Sequence, residues 1–437
     1  MTTTVMAQSV IDVHSHIITP EFLSALESEG RLMDEGFPLP KYDADAHLKW
    51  MDEAGVQTSV LTLTAPQPTS AKVVRSTNEA AAELKRKHPG RFLFFAALPL
   101  PDVDAAIREA VYALDTLKAD GIKLATNANG QYLGAPELDT LFSFLNERKT
   151  VIILHPHRPE PVNKQVMQQT PLAMQEYLSK TTRAVSNMIS RNVLARYKNI
   201  KVVVSHCGAY LPLSIPRMKS LAPVMQKNKM VGEIDWEANL AALYYDLAGA
   251  HSPEVIRMLL TITTPDHLLY GSDYPYVAPQ MLTQSLQRMK QYLTTEPDLR
   301  PLREMILHKN AAWLLGLSQT KPVADNYKGK MICRLAEIEV YPKYLTEYLS
   351  YANEVDRLSV EREPGGVCLF PMQSAEDSTR IRILEICASE EAYQQHLKTE
   401  HFQKYKQGTL HMVKSLKLPT MKPLDPKTMK LIFEKQR

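Results

Sequence analysis

Three features of this chain predict an α/β fold, a (β/α)8 TIM barrel, followed by a small α+β ferredoxin-like domain. Eight short Val/Ile/Leu-rich runs alternate with longer amphipathic segments from the start to about residue 316. Several runs are apolar without interruption, Phe92-Leu93-Phe94-Phe95-Ala96-Ala97 being the clearest, as in a parallel strand buried on both faces. Beyond residue 330 the rhythm changes to strand, helix, strand, strand, helix, strand, the order of the ferredoxin-like unit.

The barrel strands are predicted at Ile11–His16, Thr58–Thr64, Phe92–Leu98, Gly121–Ala125, Val151–His155, Lys201–Cys207, Leu243–Leu247 and His267–Tyr270. Helical spacing fills the gaps, as in Asp102–Lys118, where Val103, Ile107, Val111 and Leu114 form one apolar stripe. Eight such units over about 310 residues suit a closed barrel. The alternative is an open doubly wound sheet, which usually begins with a Gly-rich turn; the first turn here is Asp12-Val13-His14-Ser15-His16. Pro322–Lys330 mixes Pro, Asn, Gly and Lys and reads as a linker. A strand Met331–Val340 and a helix Lys343–Arg362 follow, then strands Val367–Met372 and Thr379–Ala388, a helix from Glu390 to about Val413, and a last strand near Leu416–Met421. The expected organisation is a barrel over 8–318, a linker over 319–330, the second domain over 331–424 and a basic tail over 425–437.

A length of 437 residues exceeds one core and fits two domains. With 44% apolar and 23% charged residues the composition is that of a soluble globular protein. A net charge of +3 without a basic stripe interleaved with aromatics argues against nucleic acid as partner. Lys427, Lys430, Lys435 and Arg437 read as a solvated tail. No apolar run approaches the roughly 20 residues of a membrane span. Cys207, Cys333, Cys368 and Cys387 show no CxxC spacing, so neither a disulfide framework nor a zinc finger is expected. Val5-Met6-Ala7 is like the small-residue end of a secretory signal but lacks the basic and apolar segments before it; a cytoplasmic location is expected, with a periplasmic one as the alternative if that signal is truncated.

In a parallel barrel the carboxyl ends of the strands form the active face. His14 and His16 close the first predicted strand, His155 the fifth and His206 the sixth, while Asp273 follows the eighth. His14 and His16 are two apart, so on an extended segment both project to one side and one cation can accept both imidazoles. A lone histidine at a strand end is usually a hydrogen-bonded structural residue, and an Asp after a strand is usually a helix cap. Four histidines and one Asp on the same face point instead to a metal site.

Asp12-Val-His-Ser-His16, Leu154-His-Pro156, Val204-Ser-His-Cys-Gly208 and Tyr270-Gly-Ser-Asp-Tyr-Pro275 resemble the amidohydrolase-related group. The nearest branch is that of aminocarboxymuconate-semialdehyde decarboxylase and the aromatic-acid decarboxylases; Leu98-Pro-Leu-Pro-Asp-Val-Asp104 and Thr181-Thr-Arg-Ala184 are similar to 6-methylsalicylate-decarboxylase-like members. The resemblance covers residues 10 to 316. It implies His14, His16, His155 and Asp273 as ligands of one divalent ion, usually zinc, with His206 handling the proton of the ion's water. It further implies Arg217, eleven positions after His206, as the grip on a substrate carboxylate, in some relatives across a dimer interface. Cys207-Gly208-Ala209 departs from the usual Gly-rich run after that histidine. Three neutral imidazoles and one carboxylate would leave the ion one net positive charge and an open position. A neighbouring His exchanges protons near neutral pH, and Arg offers bidentate recognition of a carboxylate. Lys123 stands where binuclear relatives carry a bridging carbamylated lysine; a mononuclear site is expected. Arg183 is read as a helix-surface residue, and His157 and His251 as structural residues of the same face.

Residues 331–424 resemble the antibiotic-biosynthesis-monooxygenase superfamily of dimeric α/β-barrels, through Glu337-Ile-Glu-Val-Tyr-Pro342, Glu363-Pro-Gly365, Leu384-Glu385 and Ala392-Tyr-Gln-Gln-His396 through Thr399-Glu-His401-Phe402. The haem-degrading branch uses a Trp that this domain lacks, the last being Trp313, which argues against haem; no flavin is expected either. His396 and His401 are candidate site residues; five positions apart on one helix, they would not share a face. A half-open sheet exposes edges, which favours a homodimer. The function implied is non-oxidative decarboxylation of a small aromatic or enolic carboxylic acid, with the second domain monooxygenase-like. The alternative is metal-dependent hydrolysis of a lactone, ester or amide, with that domain a dimerisation or binding module.

Overall fold

The computed structural model describes residues 9–68, 70–159, 170–320, 322, 332–363, 365–388 and 390–421. Most of the linker expected over 319–330, the basic tail over 425–437 and the Val5-Met6-Ala7 segment lie outside them. The chain divides into two compact units at residue 322.

In the first unit eight strands form one parallel sheet in chain order: β1 (Val10–Ile17), β2 (Val56–Leu63), β3 (Phe92–Ala97), β4 (Gly121–Ala125), β5 (Val151–His155), β6 (Lys201–Val204), β7 (Leu243–Asp246) and β8 (Leu268–Leu269). Closure between first and last strands rests on single bonds rather than a regular ladder. Val13 N–H donates to Tyr270 O (3.0 Å), His16 N–H to Tyr274 O (2.7 Å) and Asp273 N–H to His14 O (2.8 Å). The doubly wound alternative is thereby excluded. Helix starts follow cap chemistry: Asp43 accepts from Ala46 N–H before Ala44–Ala54, and Asp102 from Ala105 N–H before Val103–Val111. The predicted stripe after Asp102 is adjusted, since Ala106, Ala110 and Ala113 are buried whereas Val111 is exposed. A π turn at Tyr112–Thr116 ends that helix.

Both strand faces are buried. Ile11, Val13, Val60, Leu93, Phe95, Ile153, Val203, Tyr244 and Leu269 fill the barrel interior, with Ala311, Ala312 and Leu314 against them. Phe92, Phe94, Ala96, Ile122, Leu124, Ile152, Leu154, Val202 and Val204 belong to the outer core with the helices. The continuous apolar runs are therefore two alternating sets superimposed. In β1 the register against β2 shifts between Asp12 and Ser15, a bulge. Val13 and His14 are adjacent, yet Val13 packs in the interior core while His14 joins His16 above it.

In the second unit β9 (Ile332–Val340), β10 (Gly366–Gln373), β11 (Arg380–Cys387) and β12 (Val413–Lys417) form an antiparallel sheet in the order β10-β11-β9-β12, and β13 (Thr420–Met421) also pairs with β9. Helix Leu345–Arg362 packs on it through Tyr348 and Ala352. The single helix expected from Glu390 to Val413 is two, Glu390–His396 and Glu400–Thr409, because Thr399 leaves helical geometry and accepts from Phe402 N–H as an N-cap. The last strand accordingly begins at Val413 rather than near Leu416. Among the described residues no helix is long and apolar enough to cross a membrane.

Gly121 opens β4 where a Cβ would lie 2.5 Å from Val151 O and 2.8 Å from the Phe95 ring. Gly121→Ala is expected to destabilise the barrel by about 1–3 kcal/mol through overpacking, read as a lowered denaturant midpoint; an unchanged midpoint would contradict this packing.

Candidate active site

His14, His16, His155 and Asp273 each present a ligand atom, and the four atoms lie within 4.8 Å of one another. All three imidazoles are buried, and Asp273 is partly so. His14 Nε2 is 3.2 Å from His16 Nε2, and Asp273 Oδ1 is 3.5 Å and 3.1 Å from them. The His155 ring centroid is 4.7 Å from that of His16 and 5.2 Å from that of His14.

The outer nitrogens decide what this cluster can hold. His14 Nδ1 is 2.9 Å from Asp246 Oδ2; a carboxylate only accepts, so Nδ1 carries hydrogen. Thr62 Oγ1 donates to Ser15 O (3.0 Å) and so accepts from His16 Nδ1 (3.0 Å). In their neutral forms both buried Nε2 atoms are bare lone pairs, facing each other and a carboxylate. Among the described residues His155 Nδ1 is also buried without a hydrogen-bond partner. A cation is what such a donor set fits: three imidazoles and one carboxylate for one divalent metal ion.

The electrostatics agree. Burial disfavours charge on His14, but Asp246 beside it outweighs this and raises its pKa to about 9. Burial lowers His16 to about 4 and holds His155 well below the usual imidazole range. Burial would raise Asp273, yet the imidazoles of His16, His206 and His14 beside it hold it well below the usual carboxylate range.

Supporting groups lie behind the ligands. Asp12, raised to about 6 by burial, accepts from His14 N–H (3.1 Å), Ser272 N–H (2.9 Å), Ser272 Oγ (2.6 Å) and Ser59 Oγ (3.1 Å), tying β1, β2 and the segment after β8 together. Asp246 Oδ1 accepts from His206 N–H (3.0 Å) and Ala248 N–H (3.1 Å). Sequence reading singled out neither Asp246 nor Thr62. The available signal was position, since Asp246 closes an apolar strand just as His155 does.

His206, Cys207, Gly208 and Ala209 have φ of 57°, 55°, 70° and 53°, a left-handed run of which only one member is glycine. Gly208 is required there, because a Cβ would lie 2.8 Å from Tyr245. The run costs roughly 1–3 kcal/mol per strained residue and aims His206 Nε2 at Asp273 Oδ2, 3.6 Å away. Asp273 is left-handed as well (φ 65°).

A cavity of about 560 Å³ opens above the cluster, lined at its base by His155, His206, Asp273, Thr64, Tyr177 and Tyr276. Thr64 and Tyr276 share a short hydrogen bond, and Tyr177 donates to buried Glu35 (2.8 Å). Arg217 is exposed on helix Leu211–Lys227, and no Arg or Lys is among the described residues lining the cavity. Lys123 Nζ meets His157 Nε2 at 2.6 Å, and burial lowers its pKa to about 7. His251 is held between Ser285 Oγ (2.8 Å) and Tyr292 OH (2.9 Å). Arg183 is exposed and lies over the Tyr132 ring. In the second unit the helix break brings both candidate histidines to one carboxylate. His396 Nδ1 is 2.9 Å and His401 Nε2 2.5 Å from Glu363 Oε1.

A closed parallel barrel with three histidines and one Asp converging at the carboxyl ends of its strands defines a class of metal-dependent barrel proteins. The chain belongs to the amidohydrolase family, whose model matches residues 11–317, and an antibiotic biosynthesis monooxygenase model matches residues 331–408. The chain is 32% identical over 299 residues to decarboxylase yanB of Aspergillus niger (64% of this chain, 81% of that protein). It is 30% identical over 276 residues to 6-methylsalicylic acid decarboxylase of Penicillium expansum (61% and 84%). In fold it is similar to 5-carboxyvanillate decarboxylase LigW2 of Novosphingobium aromaticivorans, solved with bound manganese and a nitrobenzoic acid, with a TM-score of 0.63, 17% identity and coverage of 70% and 97%.

Asp246→Asn keeps an acceptor for the two backbone N–H groups but loses the carboxylate that orients His14. Metal affinity is expected to fall about 10–100-fold, measured by chelator competition with the fold checked by circular dichroism. Unchanged affinity would remove Asp246 from the site's support.

Proposed function

We propose that the barrel is a zinc-dependent, non-oxidative decarboxylase of an aromatic or enolic carboxylic acid, with His14, His16, His155 and Asp273 as ligands. The convergence of those four donors beneath a cavity carries the assignment to metal chemistry. The relatives named as decarboxylases support the reaction type. When bound by His14, His16, His155 and Asp273, the ion would supply Lewis-acid chemistry to a substrate oxygen.

The chain's own residues supply position and protons. Asp273 stays a carboxylate at neutral pH and needs a proton donor beside it. His206, its nearest neighbour on the cavity side at 3.6 Å, fills that role. A proton passes from His206, directly or through Asp273, to the ring carbon bearing the carboxylate. The bond from that carbon to the carboxylate then breaks, its electron pair restores the ring, and carbon dioxide leaves. Tyr276 and Tyr177, held by Thr64 and Glu35, keep fixed hydroxyls over the base of the cavity. Arg217, exposed in one chain, would reach a substrate carboxylate only from a second copy, consistent with a homodimer.

One observation favours hydrolysis of a lactone, ester or amide instead: beyond His155, His206 and Asp273 the described cavity lining is apolar or hydroxyl-bearing, without an Arg or Lys. In the C-terminal unit, Glu363 engages both His396 and His401. Oxygen uptake by the full chain is the readout that separates an oxygenase from a binding or pairing module.

The deciding experiment loads the full chain with zinc or manganese and measures carbon dioxide released from a panel of hydroxybenzoic acids. Release is expected, lost on chelation and restored by metal. His206→Ala is expected to slow it about 10²–10⁴-fold with metal content unchanged. Ester or lactone cleavage without carbon dioxide release would reverse the assignment.

A further inference from the structure

We infer that the cavity is divided into a polar base and an apolar arm, and that the arm is a subsite for an extended alkyl or aryl substituent on the substrate's ring. The inference rests on the decarboxylase reading for the ring's chemistry, while the arm itself is a matter of lining and volume. Hydrogen-bonding side chains gather where the strands end. Away from them, the loops and helices after β5, β6 and β7 contribute Ala173, Met174, Leu178, Pro212, Val255 and Met258. No charged side chain interrupts that wall among the described residues.

Size makes the same distinction. An apolar cavity of about 150 Å³ holds one benzene, and this one offers about 560 Å³. A lone hydroxybenzoate anchored at the metal centre would leave most of the wall wet. The wall also reaches the surface, with Met174 69% and Met258 38% exposed, so an apolar group lying along it would remove thioether and methyl surface from water. Growth towards the base is blocked by the Thr64–Tyr276 and Glu35–Tyr177 pairs, which leaves the arm as the direction open to a substituent.

The test compares 2-hydroxy-6-methylbenzoic acid with 2-hydroxy-6-pentylbenzoic acid on the metal-loaded full chain, by calorimetric Kd and by carbon dioxide release. Each buried methylene is worth about fourfold, so the pentyl acid is expected to bind at least about tenfold tighter. Ala173→Trp and Ala250→Trp, both at exposed positions of the cavity lining, are expected to shrink that ratio towards one. Binding of the two acids within about twofold, or a ratio untouched by both variants, would overturn the arm whether or not carbon dioxide appears. A tenfold binding ratio without release from either acid would support the arm and refute the decarboxylase reading, so the two failures are separable.

Discussion

Two imidazole Nε2 atoms held 3.2 Å apart in a buried barrel mouth are the constraint around which this structure is arranged. Unshielded lone pairs at that distance repel, and burial removes the water that would otherwise separate them. The protein enforces the arrangement from behind. Asp246 takes the Nδ1 hydrogen of His14, and Thr62, already committed as a donor to Ser15 O, takes that of His16. Fixing both outer nitrogens fixes both inner ones. A divalent cation relieves that repulsion.

The same constraint explains where the backbone is irregular. The bulge between Asp12 and Ser15 lets β1 contribute Ile11 and Val13 to the core and still raise His14 and His16 above it. The left-handed run His206–Ala209 and left-handed Asp273 turn two strand ends back over the barrel axis. Asp12 compensates by bonding β1 to Ser59 and Ser272, joining the strands on either side of the barrel's seam. Left-handed backbone and the metal-competent side chains thus meet at the carboxyl face. Rigidity at the base and apolar breadth at the rim suit a site that fixes one reacting group and tolerates variety in the rest of its ligand.

The C-terminal unit solves a smaller problem by similar means. Thr399 stops one helix and starts another, and the resulting corner lets His396 and His401 converge on Glu363 from two directions. Five-residue spacing on an unbroken helix would have forbidden that meeting. A capping side chain, rather than periodicity, decided the geometry.

The barrel was legible because its strands are buried on both faces, so that apolarity is continuous and strand ends stand out against it. The candidate ligands stood out because histidine and aspartate at such ends have few structural reasons to recur. Neither pattern carries information about direction. Alternation alone cannot reveal the bulge that puts Val13 and His14 on the same side, nor can it show that Arg217 of one chain stays outside the cavity. Asp246 and Thr62 sit far from His14 and His16 along the chain and acquire meaning only when closure brings β7 and β2 beside β1. The sequence by itself determined which residue types stand at the strand ends. Only the tertiary structure decided which nitrogens carry hydrogen, because tautomers are set by partners that are distant in the chain and adjacent in space.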